Sequence, residues 1–379
     1  MNPLNLHLNT IEQMICNKAD LNHIPISGTF ELLPLCNMNC KMCFAKMTVE
    51  QMNSHAPMRD YKSWLNLAKQ ASDAGMMFVL LTGGEPFLYP NFKELYFGLK
   101  KLGLVISINT NATLINEEIA NWLASDPPRR LNITLYGASN ETYKRLCQNP
   151  IGFTQVIKAI KLLQERKIPI KLNCSLTPEN VNDLDDIYHI ADTFNLPIET
   201  AYYMMPAVRE CNIGNEQYRL TPHEAAKAKL RIKQLEYGND IFKEYIIGTL
   251  DRYYDIKNNK LNIEKRNNGF NCRAGNSVFW INYDGTMVAC NFVPFPKYNV
   301  FDTSFIESWK KLYKEILNIH LSNSCYKCLM KSFCSYCGAS IYTENKGDYS
   351  IAPKYHCELT KYYIKLLKQK AKEYSLYED

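Results

Sequence analysis

The stretch Leu32–Met47, "LLPLCNMNCKMCFAKM", decides how this sequence is interpreted, because it places three thiols within eight residues. Cys36, Cys40 and Cys43 follow directly on the apolar run "GTFELLPL", which is typical of a buried strand. Three thiols this close together are expected to serve one centre. Structural metal centres are normally closed by four ligands, so the trio indicates a site with one position left open for chemistry.

Length and composition favour a soluble globular protein. The chain has 379 residues, of which 46% are hydrophobic and 22% charged, so it can bury a full core and hold one large domain plus a smaller one. The net charge is +6, and it is spread without long basic runs. A nucleic-acid-binding protein would be expected to show a clustered basic stripe, so we expect no nucleic-acid partner.

The apolar segments are too short for a membrane protein. The N-terminal "MNPLNLHLNTIEQMICNKAD" has neither a basic lead nor a continuous apolar core, and a signal peptide is therefore not expected. Runs such as "MMFVLL" reach about six residues, far short of the roughly 20 needed to span a bilayer. We expect a cytoplasmic protein with no membrane partner.

Cysteine usage points to metal. Of the 14 cysteines, three lie near the start and seven between Cys272 and Cys357. A reducing compartment keeps thiols free, so clustered cysteines there indicate metal binding and not disulfides. The remaining four are interpreted as small buried hydrophobic residues: Cys16, Cys147, Cys174 and Cys211.

Short apolar runs alternate with amphipathic stretches from Gly28 to about Met205. Six such βα units predict an α/β fold with a parallel sheet and helices on one side, either a closed barrel or a partial (β/α)6 barrel. Special residues follow the carboxyl ends of the strands, where active sites form in such folds. The six runs are "GTFELLPL", "MFVLLTGG", "LVISINTN", "LNITLYG", "IKLNCSLT" and "IETAYYMM", and the special residues are Cys36, Gly83, Asn109, Gly137 and Thr177.

Four segments are predicted along the chain. Residues 1–27 form an N-terminal extension and 28–215 the barrel, 216–268 a helical bridge, and 269–379 a small cysteine-rich domain with a closing helix. The bridge opens with Thr221, Pro222 and Glu224, which together predict a helix N-cap with a capping box.

The first cysteine trio carries a resemblance to a known family. Cys36-x3-Cys40-x2-Cys43 followed by Phe44 resembles the radical S-adenosylmethionine superfamily, and "LLTGGEP" is similar to that family's GGE motif. The resemblance implies a [4Fe–4S] cluster whose fourth iron is chelated by the amine and carboxylate of S-adenosylmethionine. It implies reductive cleavage of that cofactor to a 5′-deoxyadenosyl radical, in an oxygen-sensitive enzyme with a low-potential electron donor, a flavodoxin or ferredoxin. The alternatives are a ferredoxin fragment and a zinc knuckle.

Further cofactor contacts are predicted around the GGE motif. Gly83 and Gly84 allow close backbone approach, Glu85 can pair with the methionine ammonium, and Pro86, cis or turn-setting, could hold the loop. At the next strand ends, polar contacts to ribose or carboxylate are predicted, with strand-end capping as the alternative, for Thr110, Asn111 and Thr134. Arg145 and Arg209 are candidates for holding a carboxylate, or ordinary surface charges.

The second cysteine set resembles the SPASM extension of the same superfamily, with two residues instead of three between Cys334 and Cys337. "INYDGTMVAC" is its predicted hairpin. The resemblance implies an outer auxiliary [4Fe–4S] cluster and an inner one with three cysteines, whose last iron is open or filled by another side chain. A pair of zinc sites is the alternative. The outer ligands are Cys325, Cys328, Cys334 and Cys357, and the inner ones Cys272, Cys290 and Cys337.

The resemblance favours a radical enzyme that crosslinks or oxidises a peptide or protein, in the manner of a maturase of ribosomal peptides. Sulfatase maturation is disfavoured, because Asn291 stands where those enzymes have an Asp base. About 27 residues precede the first strand, too few for a leader-binding domain, so recognition is expected to use another surface or a partner protein. The alternatives are a tetrapyrrole or sugar substrate and, less favoured, a non-enzymatic electron carrier.

Overall fold

Six parallel strands pair in chain order and form one side of a nine-stranded sheet. The computed structural model describes residues 10–209, 215–258, 260–261, 270 and 272–376; Cys211 lies outside them. The parallel strands are β1 (Ser27–Glu31), β2 (Phe78–Thr82), β3 (Val105–Thr110), β4 (Arg130–Thr134), β5 (Ile170–Ser175) and β6 (Ile198–Ala201).

The parallel strands form a partial barrel, as predicted. β1 pairs β2 on one side and a C-terminal strand on the other, so neither of its edges is left for β6 to close the barrel. Right-handed crossovers put the connecting helices on one face of the sheet. The helices in this part are α1 (Thr10–Asn22), α2 (Val49–His55), α3 (Tyr61–Asp73), α4 (Phe92–Lys101), α5 (Glu117–Ser125), α6 (Asn140–Cys147), α7 (Gly152–Glu165) and α8 (Leu184–Thr193).

The C-terminal strands extend the same sheet. β7 (Val278–Ile281) lies parallel to β1, and β8 (Thr286–Cys290) and β9 (Val293–Asn299) follow antiparallel. The predicted hairpin is present, and Gly285 at its turn has φ +88°, a conformation that favours glycine. The sequence did not indicate β9, nor that the hairpin would join the barrel. The boundaries drawn at residues 28, 216 and 269 stay predictions.

The segment predicted as a bridge is a long helix that packs on the closing helix. α9 (Pro222–Lys257) begins with the predicted capping box at Thr221 and is interrupted at Gly238, where φ is 69°. It lies against α13 (Lys354–Glu373), and the hydroxyls of Tyr245 and Tyr363 are 2.6 Å apart across that contact. The remaining helices are α10 (Phe305–Leu317), α11 (Asn323–Tyr326) and α12 (Gly338–Glu344).

One continuous apolar core joins the two halves of the chain. It includes Phe30 on β1, Trp64 on α3, Phe279 on β7 and Trp309 on α10, all essentially inaccessible to solvent. None of the described helices combines the length and the apolar character that crossing a membrane requires. The core therefore fixes the loops that follow β1 to β4, which carry the candidate site.

Candidate functional site

The loop with the first cysteine trio is held by the GGE turn. The backbone N–H of Gly84 donates to the Leu33 carbonyl at 2.8 Å, and that of Glu85 donates to the Leu35 carbonyl at 2.9 Å. A Cβ on Gly83 would stand 2.5 Å from the Leu33 oxygen, and one on Gly84 only 2.3 Å from the Leu35 oxygen. These two glycines therefore allow the GGE turn to pack closely against the backbone segment that leads into Cys36.

Pro86 sets the turn without a cis bond. It occupies the first position of a short 3₁₀ helix, Pro86–Leu88, where its fixed φ is favourable. In the described part of the chain the cis peptide is Phe295–Pro296. Of the two roles predicted for Pro86, the turn-setting one is therefore present.

The carboxylate of Glu85 is fully buried and organises the site. Its Oε1 accepts hydrogen bonds from the Thr110 hydroxyl at 2.8 Å and the Phe87 amide at 3.2 Å, and its Oε2 accepts one from the Asn111 amide at 2.8 Å. A carboxylate has about four acceptor positions, so one remains on Oε2 for a further donor. Burial raises the pKa of Glu85 to about 7, against the hydrogen bonds, which lower it.

Asn111 connects Glu85 to the first cysteine. Its side-chain Nδ2 donates to the sulfur of Cys36 at 3.6 Å and to Asn37 at 3.0 Å, while its backbone amide binds Glu85. Thr110 and Asn111 are therefore engaged with the protein's own polar groups. Thr134 lies half-buried at the end of β4. The contact of these three residues with ribose or carboxylate stays a prediction.

Each sulfur of the trio has nearby hydrogen-bond donors. The Met38 amide donates to Cys36 at 3.4 Å and the Lys46 amide to Cys43 at 3.3 Å. Burial raises the pKa of the Cys36 thiol to about 12, because it disfavours the thiolate. A bound cation reverses that preference, and N–H donors stabilise the thiolate that results. The trio therefore fits a cluster that brings positive charge to buried sulfur.

A fourth cysteine, Cys147, lies beside the trio, which the sequence did not suggest. A hydrogen bond from Cys147 is the main cause that lowers the pKa of Cys40, and Tyr136 contributes another. The end of α6 is attached to the loop by backbone hydrogen bonds from Asn39 to the Cys147 carbonyl and from Lys41 to the Leu146 carbonyl. The sequence predicts Cys147 only as a small buried residue, because its approach to Cys40 depends on how α6 docks.

The C-terminal thiols influence one another in two groups, and the assignment of these groups as cluster ligands stays a prediction. Burial raises the pKa of Cys290 to about 11, and the thiol charges that add to it are those of Cys337 and Cys272. Burial raises the pKa of Cys325 to about 11 as well, but here the charges come from Cys357, Cys334 and Cys328. Cys290 and Cys325 are therefore each affected by the charges of the other members of their own set. Tyr349 lies beside the inner set, because the charges of Cys290 and Cys337 contribute to raising its pKa, after burial and Tyr342.

The described thiols are not gathered around a single ion. No three His, Cys, Asp or Glu side chains in the part of the chain that the structure covers come together closely enough to hold one metal ion. In a cubane cluster each thiolate binds a different iron, so its ligands stand further apart than those of a single zinc.

An open groove of about 480 Å³ lies between α2 and the β7–β8 turn. Its lining includes Met47, His55, Arg209, Asn282 and Asp284.

At one side of this groove, Arg209 donates to the buried carboxylate of Glu31 and to the side chain of Asn291. Phe44, after Cys43, contacts Phe292 near Cys290, with ring centroids 4.8 Å apart. The groove therefore lies between the segment that follows the first trio, through Met47, and the β7–β8 turn, through Asn282 and Asp284.

Comparison with known proteins agrees with this geometry. Residues 30–191 match the family model described as the Radical SAM superfamily. The "AdoMet-dependent heme synthase" of Methanosarcina barkeri is 21% identical over 87% of this chain and 95% of its own length. The "Sporulation killing factor maturation protein SkfB" of Bacillus subtilis is 26% identical over 44% of this chain and 39% of its own.

A solved structure, "Streptococcus suis SuiB bound to precursor peptide SuiA", has the same fold. Its TM-score is 0.63 at 18% identity, and the match covers 89% of this chain and 79% of that one. The family match includes Cys36, Cys40, Cys43 and the Glu85 turn, the residues that the geometry brings together. Residues 30–191 accordingly form a radical S-adenosylmethionine domain, the chain has relatives among SPASM-type maturases, and the protein is an enzyme that uses S-adenosylmethionine and a [4Fe–4S] cluster.

Proposed function

We propose that this enzyme cleaves S-adenosylmethionine reductively at the Cys36–Cys40–Cys43 site and uses the 5′-deoxyadenosyl radical to abstract hydrogen from a peptide or protein. The carrying observation is the chain of hydrogen bonds that joins the Glu85 carboxylate, through Asn111, to the sulfur of Cys36. Cys36, Cys40 and Cys43 would hold a [4Fe–4S] cluster, which would supply the electron for cleavage of the sulfonium.

The protein's own residues would bind and orient the cofactor beside the trio. The unused acceptor position on Glu85 suits a methionine ammonium, since a charge-assisted hydrogen bond is roughly twice as strong as a neutral one. Thr110 and Asn111 fix the carboxylate in place through 2.8 Å hydrogen bonds. The burial of Glu85 gives its carboxylate low-dielectric surroundings, which strengthen its interaction with a cation.

A peptide substrate is supported by the groove and by one relative. SkfB is named as a maturation protein, and it matches 44% of this chain. The groove is open, with Arg209 already bound to Glu31 and Asp284 adding negative charge. An open, weakly charged groove suits an extended chain. We also propose that the enzyme holds two auxiliary [4Fe–4S] clusters and receives electrons from a flavodoxin or ferredoxin. We propose further that it is cytoplasmic and sensitive to oxygen.

A tetrapyrrole substrate is the second candidate, because the heme synthase relative matches 87% of this chain. A porphyrin carries several carboxylates, for which a binding site needs several cations. Arg209 is committed to Glu31, so a porphyrin would have to recruit other positive groups. A sugar is a further small-molecule alternative.

The test measures 5′-deoxyadenosine released by anaerobically reconstituted enzyme given S-adenosylmethionine and a low-potential reductant. We expect release from the wild type and from Cys16→Ala, a control that removes a buried thiol on α1. We expect none from the triple variant with Cys36, Cys40 and Cys43 changed to Ala. Release by that triple variant would contradict the proposal.

The substrate class needs a second comparison. Short peptides encoded beside the gene and a propionate-bearing porphyrin are offered separately, and the cofactor consumed is compared with the substrate modified. Stoichiometric modification of a peptide supports the first candidate, and modification of the porphyrin alone supports the second.

A further inference from the structure

The hydroxyl of Tyr349 is buried, yet it has no hydrogen-bond partner among the described residues. Leaving a polar group buried and unpaired lowers the stability of a protein, because the group loses its hydrogen bonds to water. Buried tyrosine hydroxyls usually find a partner for this reason. A tyrosine kept in such a position is therefore expected to serve a group other than the protein's own side chains.

The loop that carries Tyr349, between α12 and α13, is held firmly by local hydrogen bonds. The Gly347 amide donates to the Tyr342 carbonyl at 2.8 Å, the Ser350 amide donates to the Asp348 side chain at 2.7 Å, and the Asn345 side chain donates to the Ile351 carbonyl at 2.8 Å. Tight local bonding limits the orientations open to the Tyr349 ring.

Ring packing connects Tyr349 to the start of α12. Its ring lies 5.5 Å from that of Tyr342 and 6.2 Å from that of Phe270, measured between centroids. Phe270 in turn covers Gly338, where an added Cβ would stand 1.9 Å from the phenylalanine ring. Gly338 follows Cys337, so Tyr349 and this inner-set thiol belong to one packed unit.

Cys337 connects this unit to the other inner thiols. Cys337 is the N-cap of α12, and its sulfur accepts a hydrogen bond from the Ser340 amide at 3.4 Å. Cys290 and Cys272 lie within electrostatic range of Cys337. The Tyr349 hydroxyl lies within that range of Cys290 and Cys337. The unpaired phenol of Tyr349 thus lies close enough to Cys290 and Cys337 to be affected by the charges of both thiols.

We propose that Tyr349 is the fourth protein ligand of the inner auxiliary cluster, binding through its phenolate oxygen the iron that Cys272, Cys290 and Cys337 leave free. This inference rests on the proposed function, because it requires that the inner cysteines hold a cluster. Tyrosinate is an established ligand of iron in proteins. On binding, the phenol proton passes to solvent and an oxygen lone pair forms the bond to iron, so no electron is transferred.

A tyrosine ligand would give the inner cluster a different role from an open one. With all four irons held by the protein, a substrate thiolate finds no free position there, and the cluster serves in electron transfer. Crosslink formation would then use the radical made at the first trio without anchoring the acceptor cysteine on iron.

The experiment uses full-length enzyme in which Cys36, Cys40 and Cys43 are changed to Ala, so that the auxiliary clusters are observed alone. Resonance Raman spectra excited in the visible range detect tyrosinate bound to iron. We expect tyrosinate ring modes in this protein and in the matched control Tyr342→Phe, since Tyr342 is the half-buried neighbour of Tyr349. Tyr349→Phe, which removes one oxygen atom, should lose them.

A second readout follows the iron itself. A cluster with three cysteine ligands loses its exposed iron on mild oxidation, so Tyr349→Phe should show the EPR signal of a three-iron cluster and about one iron less per chain than the control. Adding Cys337→Ala should abolish both the signal and the Raman modes, which assigns them to the inner set.

Two results would overturn the inference in different ways. If Cys337→Ala leaves the iron content unchanged, the inner cysteines hold no cluster, and this part of the proposed function fails with the ligand assignment. If Cys337→Ala removes iron but the parent protein shows no tyrosinate modes, the cluster exists and Tyr349 is not its ligand. The parent spectrum needs no Tyr349 variant, so misfolding of Tyr349→Phe cannot hide that outcome.

Discussion

Arg209 holds the buried carboxylate of Glu31 through two N–H···O bonds of 2.6 and 2.5 Å, although the two residues are 178 positions apart in sequence. Glu31 ends β1, directly before the loop with the first trio, and Trp280 on β7 donates to the same carboxylate at 3.2 Å. The guanidinium also binds Asn282 and Asn291 at the two ends of the C-terminal hairpin. This ion pair therefore joins the end of β1, the segment after β6 and the hairpin beside the site.

Removing one partner of this pair should be strongly destabilising. Arg209→Met leaves the Glu31 carboxylate buried without its counter-charge, which should lower the free energy of unfolding by about 3–5 kcal/mol. The double variant Arg209→Met/Glu31→Leu should lose clearly less free energy of unfolding than the sum of the losses in the two single variants. Denaturant unfolding of the four proteins measures this difference.

The exposed pair Lys69 and Asp73, four residues apart on α3, is the control. A double-mutant cycle there should give a coupling of about 0.3–0.5 kcal/mol. A coupling between Arg209 and Glu31 no larger than this would contradict the role assigned to the buried pair.

Gly84 should not tolerate a side chain. In Gly84→Ala the new Cβ would stand 2.3 Å from the carbonyl oxygen of Leu35, which is backbone and cannot rotate away. We expect a loss of about 1–3 kcal/mol in the free energy of unfolding and a displaced Cys36 loop that retains less iron. Iron content and the EPR spectrum of the reduced first cluster check both effects.

The matched control is Gly248→Ala on α9, where an added Cβ meets nothing within 4 Å. This change should stabilise the protein by about 0.5–1 kcal/mol and leave the iron content unchanged. The explanation fails if Gly84→Ala reconstitutes and unfolds as the control does.

The strands and the first trio were predictable because their signals are local. Each strand is an apolar run of a few residues, and Cys36, Cys40 and Cys43 lie in one short loop, so no long-range contact was needed to find them. The contacts of Cys147 with Cys40 and of Arg209 with Glu31 depend on tertiary packing between distant segments. The position of Tyr349 near the inner thiols could not be predicted either, since nothing in the neighbouring sequence distinguishes it from the other tyrosines among the 25.

The binding of S-adenosylmethionine should depend on pH through Glu85. Burial raises the pKa of this carboxyl to about 7, so below that pH the cofactor-free protein holds it mostly protonated. A methionine ammonium prefers the carboxylate, and binding must then release a proton. Affinity should therefore fall as the pH drops below about 7, by up to about tenfold per pH unit, and level off above it.

Anaerobic calorimetry of the reconstituted enzyme between pH 6 and 8 measures this dependence. Glu85→Gln should bind more weakly at pH 8 and lose the slope. Glu94→Gln, a change at an exposed carboxylate on α4, should keep it. A slope that persists in Glu85→Gln would assign the proton to another group.

Asn111 should tune the reduction potential of the first cluster. Its side-chain N–H donates to the Cys36 sulfur, and such bonds stabilise the more negative, reduced cluster. Asn111→Ala removes a hydrogen bond of about 1 kcal/mol, which corresponds to a potential lower by roughly 40 mV for one electron. Asn132→Ala is the control, because Asn132 is also buried but binds Asn109 on the neighbouring strand. A redox titration followed by EPR should show the lower potential in Asn111→Ala and not in Asn132→Ala. Equal potentials in the two variants would mean that Asn111 holds the loop without acting on the cluster.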